Sequence, residues 1–128
     1  PLGTAASLET GKPLVYPRTP PKPHGAGRPV EGVWEEGETV VMLDDLISTG
    51  VSKEEALGVL KGAGLEVRTL VVLVERGHAG RFDMDRLGIQ LKSFMTLEEF
   101  LPVLVSEKAI SEDQSEAFLA FAAGSSKK

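Results

Sequence analysis

Two adjacent carboxylates, Asp44 and Asp45, stand just ahead of a run of hydroxyl and small residues, Ser48, Thr49, Gly50, Val51 and Ser52. The acids follow an apolar stretch, Thr39 to Leu43, that reads as a buried strand, and the hydroxyl run leads into residues with helical periodicity. In an open α/β sheet, ligands sit beyond the carboxyl ends of the strands. The turn from Leu46 through Ile47 to Val51 falls there. Backbone N–H groups in such a turn, with the positive end of the following helix, form a nest for a phosphate monoester. Ser48, Thr49 and Ser52 can add hydroxyl donors, and Gly50 permits a tight backbone. The acids repel that phosphate and need another partner: sugar hydroxyls, or Mg2+ held directly or through water. The constellation therefore reads as phosphate plus diol, as in a ribose 5-phosphate. A nucleotide P-loop is excluded because GxxxxGK[ST] is absent, and a dinucleotide fingerprint because GxGxxG is absent.

The elements that must position these groups follow from periodicity and punctuation. Ser52 with Glu55 has the spacing of a capping box, Ala56, Leu57, Leu60 and Ala63 then recur on one helical face, and Gly62 and Gly64 end the helix. Thr69 to Val74 is a second continuous apolar run. Strand, helix and strand in this order predict a right-handed βαβ unit whose parallel strands are buried on both faces. A third strand is expected near Ile89 to Phe94. Thr96 with Glu99 and Ser111 with Gln114 mark two further helix starts; Pro102 inside the first predicts a kink or a late start. Ala117, Phe118 and Phe121 give the last helix an apolar face. Upstream, Pro1 to Thr10 reads as a short helix stopped by Gly11, and Pro13 to Tyr16 as a short strand. Five prolines and two glycines between Pro17 and Pro29 rule out a helix or central strand and predict a mobile loop. Val30 to Val40 reads as a hairpin turning near Glu35 to Gly37. The fold class is α/β: a parallel-sheet, Rossmann-like core with flanking helices over residues 1–124, the loop 17–29 within it, and a disordered tail at 125–128.

With 128 residues, 41% of them hydrophobic, the chain can bury a core of one domain. The absence of cysteine excludes disulfides and thiolate zinc sites and is compatible with a reducing cytoplasm. A net charge of −5 disfavours general nucleic-acid binding. The charge is uneven: Lys12, Arg18, Lys22 and Arg28 lie with His24 in an acid-free segment from Gly11 to Val30. A local basic segment on an acidic protein suits a small anionic ligand.

The string VVMLDDLISTGVS resembles the signature of type I phosphoribosyltransferases, which use phosphoribosyl pyrophosphate (PRPP). Its flanks resemble orotate phosphoribosyltransferases in particular. Tyr16-Pro17-Arg18 followed by the Lys22-x-His24-Gly25 loop is similar to their mobile catalytic loop, VEGVWEEGETV to their hairpin, VVLVERG to the following strand, and LGIQLKSFMTLEE to their closing strand and helix. The resemblance covers nearly the whole chain and implies transfer of a 5-phosphoribosyl group from PRPP to orotate, giving orotidine 5′-monophosphate and pyrophosphate, with Mg2+ as cofactor. It further implies that Asp44 and Asp45 hold the ribose hydroxyls and that Leu46, Ile47, Ser48, Thr49, Gly50, Val51 and Ser52 cradle the 5-phosphate. Arg18, Lys22 and His24 would meet the pyrophosphate, Lys22 and His24 acting with the two acids in catalysis, and Ser48 and Arg76 would contact orotate. Mg2+ would be carried by PRPP, with Asp44 and Asp45 reaching it through water. A homodimer is implied, the loop 18–24 reaching the neighbouring active site.

Two positions depart from the family pattern: Thr19 stands where a second lysine is frequent, and Ser48 where threonine is usual. The chain also resembles the family without its N-terminal part, which supplies orotate contacts and a central strand. That strand would lie between PLVY and TVVML, so the expectation is two open strand edges, little or no activity in this chain alone, and pairing with itself or a further segment. The alternatives are another base phosphoribosyltransferase, or a noncatalytic PRPP-binding regulator or inactive fragment. For Arg76 the plainer role is an ion pair with Glu75 or Asp83, for His78 simple exposure, and for Tyr16 and Trp34 packing.

Overall fold

The computed structural model describes residues 1–18 and 28–125, the side chains of residues 124 and 125 aside. The apolar run of the sequence forms β3 (Thr39–Ile47), after α1 (Leu2–Thr10), β1 (Tyr16–Pro17) and β2 (Val30–Glu31). Then come α2 (Val51–Gly62), β4 (Glu66–Glu75), α3 (Ala79–Arg86), β5 (Gln90–Thr96), α4 (Leu97–Ser106) and α5 (Glu112–Ser125). Strands β3, β4 and β5 form one parallel sheet in that order, with Leu43 opposite Val71 and Val71 opposite Lys92. The expected α/β parallel core is therefore present. β3 runs further than Thr39 to Leu43, so Asp44 and Asp45 lie within its last turn-ward residues and Asp44 pairs with Val72. A bulge between Val40 and Val41 shifts the register, leaving Arg68 between two paired positions of β4.

The core lies on one face of this sheet. Val67, Leu70, Val72 and Leu91 project into it from the strands, Leu57 and Leu60 from α2, and Met84 from α3. Each such fully buried aliphatic side chain contributes roughly 1.5–3 kcal/mol by leaving water. The other face differs from expectation. Val41, Leu43 and Leu73 are exposed, so β3 and β4 are not buried on both sides. The cause is coverage: α2 packs on β4 and α3 on β5, while α1 and α4 reach only parts of the sheet.

Val30 to Val40 does not form the expected hairpin. β2 pairs antiparallel with β1, Tyr16 opposite Glu31 and Pro17 opposite Val30, and Arg18 N–H donates to Pro29 O at 2.8 Å. The pairing closes the base of the 17–29 segment, whose central residues 19–27 lie outside those described, as do residues 126–128 of the expected tail. α2 starts earlier than the sequence suggests. Gly50 is its N-cap, its carbonyl accepts from Glu54 N–H at 2.8 Å, and no Ser52–Glu55 capping box forms. The boxes at Thr96 with Glu99 and Ser111 with Gln114 are both made. Pro102 does not delay α4, which runs unbroken from Leu97 to Ser106. α5 turns Ala122 inward and leaves Phe118 and Phe121 exposed, so its expected apolar face is largely not its packed face. Trp34 packs on the core and donates its indole N–H to Ala63 O at 3.0 Å, whereas Tyr16 is mostly exposed.

Candidate functional site

The two acids sit in different surroundings. Asp44 is half-buried; one of its oxygens accepts from the Lys53 ammonium, and the other from the Asp45 N–H at 2.9 Å. Burial pushes the Asp44 carboxyl up, but the Lys53 ammonium and the Asp45 amide outweigh it and hold the group below its ordinary value. Asp45 is exposed, and its carboxylate accepts from the Leu46 N–H at 2.7 Å. Lys53 is buried in the first turn of α2. It ties the strand end to the helix start and compensates the charge of Asp44. Sequence reading missed it, because nothing in the SKEE string says which acid the lysine will meet.

Ser48, Thr49 and Gly50 connect β3 to α2. The N–H groups of Ser48, Thr49 and Val51 have no hydrogen-bond partner among the described residues, nor do the hydroxyls of Ser48, Thr49 and Ser52. Gly50 is buried, and its N–H donates to Asp83 Oδ2 at 2.8 Å. Its backbone is right-handed, with φ −78°, so the glycine serves close approach rather than an unusual dihedral. A Cβ at this position would stand 2.4 Å from the Asp83 Cβ.

Asp83 is carried by α3, a helix the sequence reading did not anticipate. α3 is pinned to the sheet by an ion pair. Arg81 Nε donates to Glu75 Oε1 at 2.8 Å, its Nη2 closes a second bond to Oε2, and Ser93 Oγ donates to Oε2 at 3.1 Å. Glu75 is only 3% exposed, and its carboxylate raises the already high pKa of Arg81. Gly80 lies so close to Ile47 that a Cβ there would meet its Cγ1 at 2.6 Å. On the solvent side, Arg86 reaches Glu54 of α2 at 3.6 Å.

Of the other expected site residues, Ser48 and Arg76 come together at neighbouring strand ends, because Arg76 N–H donates to Ile47 O at 2.8 Å. Arg76 pairs with neither Glu75 nor Asp83, which bond Arg81 and Gly50 instead. Its guanidinium lies over the Phe121 ring, 5.6 Å from the centroid, and its Nε is buried with no hydrogen-bond partner among the described residues. Arg18 forms an ion pair with Glu31 across the β1–β2 base. Lys22 and His24 lie outside the described residues. His78 is exposed. Among the described residues no group of three or more His, Cys, Asp or Glu could hold a metal ion. Asp44 is already committed to Lys53 and Asp45 is exposed, a donor set that suits a metal arriving with its own ligands and water rather than a protein-built cage. Among the described residues no helix is long and apolar enough to cross a membrane.

A parallel α/β core, a strand ending in paired acids, and a Ser-Thr-Gly turn opening a helix define the type I phosphoribosyltransferase class. No model of a known protein family matches the chain. It is 34% identical over 101 residues to an orotate phosphoribosyltransferase of Methanocella arvoryzae, a match covering 79% of this chain and 58% of that protein. Among solved structures, UMP synthase of Leishmania donovani superposes with a TM-score of 0.83 at 36% identity, covering 94% of this chain and 26% of that one. Orotate phosphoribosyltransferase of Aeropyrum pernix gives a TM-score of 0.65 at 35% identity, covering 79% and 55%. The chain belongs to the orotate phosphoribosyltransferase family. It spans a little over half the length of the first of the curated relatives it matches.

Proposed function

We propose that the chain carries the PRPP-binding part of an orotate phosphoribosyltransferase, residues 1–124 forming the core and 17–29 the catalytic loop. The observation that carries the reading is the Asp44–Ser52 segment. At the carboxyl end of β3 it sets two acids and a turn whose N–H and hydroxyl donors at Ser48 and Thr49 have no partner among the described residues, in a chain of this family. The 5-phosphate of PRPP is received by the N–H groups and hydroxyls of Ser48, Thr49 and Ser52 at the positive end of α2. Asp45 accepts from a ribose hydroxyl, and Asp44, oriented by Lys53, accepts from the other.

In the reaction the C1–O bond to pyrophosphate breaks and a bond from C1 to an orotate ring nitrogen forms, through an oxocarbenium-like centre, the proton of that ring N–H passing to the departing pyrophosphate. Arg18, Lys22 and His24 stabilise the charge gathering on the leaving group, His24 as a cation or proton donor. Arg18 must first exchange Glu31 for the phosphate oxygens. Ser48 and Arg76 face orotate, the Nε of Arg76 being a buried donor with no acceptor among the described residues. Mg2+ bound with PRPP would supply further charge neutralisation, and Asp44 and Asp45 would hold it through water. The loop 18–24 serves the neighbouring site of a homodimer, and the protein works in the cytoplasm.

Calorimetric titration with PRPP and Mg2+, followed by an orotate-consumption assay, tests this. Asp45→Asn is expected to weaken PRPP binding about tenfold, the loss of one charge-assisted hydrogen bond. In the chain completed with the upstream part its relatives carry, turnover with adenine and not orotate would favour another base phosphoribosyltransferase, and PRPP binding without turnover would favour a regulator. A folded protein with no measurable affinity for PRPP ends the proposal.

A further inference from the structure

Asp83 is an acid placed on the turn that the proposed function assigns to a phosphate. Its Oδ2 accepts from the Gly50 N–H at 2.8 Å, at the head of α2 where the helix dipole favours an anion. The contact is built rather than incidental. α3 is fixed beneath it by the ion pair of the part-exposed Arg81 with the buried Glu75, by the buried Met84 and by the close approach of Gly80 to Ile47. Gly50 has no side chain to hold Asp83 away, and no larger residue would fit there without displacing it. Among the described residues, the turn's other N–H groups, at Ser48, Thr49 and Val51, have no such partner.

We propose that Asp83 is a built-in competitor for the phosphate subsite, a residue that sets how tightly the site holds a phosphate monoester. This deepens, and rests on, the reading of the Ser48–Ser52 turn as a phosphate cradle. A phosphate on the amides of Ser48, Thr49 and Ser52 and a carboxylate on the Gly50 amide among them repel each other. The ligand therefore displaces the Asp83 side chain from Gly50. With the backbone of α3 pinned, the side chain leaves by rotating about its own bonds, and it returns when the phosphate departs. Its consequence is a weaker grip on the 5-phosphate, of substrate and of nucleotide product alike, than the cradle alone would give.

The test is the affinity of ribose 5-phosphate for the protein and for Asp83→Asn and Asp83→Ala, by calorimetry, with thermal unfolding to confirm the fold. Both variants are expected to bind about tenfold tighter, the effect of removing one like charge beside the ligand. Asn, which keeps a hydrogen-bonding oxygen for Gly50, separates charge from support of the turn. If both folded variants bind ribose 5-phosphate no better than the parent, or more weakly, Asp83 supports the turn and the competitor role is overturned, while the PRPP reading stands. If parent and variants are folded and none binds ribose 5-phosphate or PRPP, the cradle itself is wrong and both readings fall.

Discussion

Asp44 bonds Lys53 with one oxygen and the Asp45 amide with the other, while the exposed Asp45 carboxylate accepts from the Leu46 N–H. For Asp44 these contacts make ionisation bear on stability. The Asp44 carboxyl is held below the ordinary aspartate value of about 3.9. Its folded form therefore binds a proton less readily than its unfolded form. The resulting stabilisation is complete above the unfolded value and is lost as pH falls through the lower, folded value. Lys53→Met keeps the aliphatic stem and removes the ammonium, leaving burial to push Asp44 upward. Between pH 7 and pH 3, urea midpoints should fall for the parent and fall less steeply for Lys53→Met, which should start lower at pH 7. Parallel curves would show that Lys53 does not govern this carboxyl. Neither this pair nor the Gly50–Asp83 bond was legible in the sequence. The partners are 9 and 33 residues apart, and proximity in the fold, not residue type, selects them.

At the scale of elements, β3 and α2 were legible because an apolar run and a helical repeat each declare their own period. α3 was not. Gly77 and Gly80 read as breakers, and Phe82 and Met84 are too few to show a face; Met84 is buried while Phe82 is mostly exposed. Gly80 is what lets the helix sit on Ile47. The β1–β2 pairing was missed for a similar reason: two-residue strands carry no period, and the proline-rich stretch between them conceals that its ends meet. α3 is held largely by Arg81, whose loss would leave Glu75 buried and charged without its main partner. Arg81→Ala is thus expected to cost about 1–3 kcal/mol in urea unfolding, the penalty of an unsatisfied buried polar group. Arg81→Ala in a Glu75→Leu background should cost much less, because the stranded charge is gone. Equal losses in both backgrounds would mean that the guanidinium acts through packing alone.

For the whole molecule, the open question is the outer face of the sheet. Residues alternate across a strand, so Val41, Leu43, Leu73 and Phe94 share the side opposite Met42, Leu70 and Leu91. They are 58%, 40%, 46% and 78% exposed. β3 is also an edge strand, with β4 as its hydrogen-bonded neighbour in the sheet. These exposed apolar side chains, with Gln90 and Lys92 among them, next to an edge that has no partner strand among the described residues favour association, and the net charge of −5 on 128 residues opposes it only weakly at physiological salt. The 128-residue chain is therefore expected to self-associate with concentration in sedimentation experiments and to bind a hydrophobic dye. Leu43→Lys with Phe94→Lys should shift it toward monomer and reduce dye binding. Because both side chains project away from the Leu70 core, the unfolding temperature should change little. A chain that stays monomeric and dye-free at all concentrations would show that this face is covered in solution, and a variant that unfolds would place Leu43 and Phe94 in the core after all.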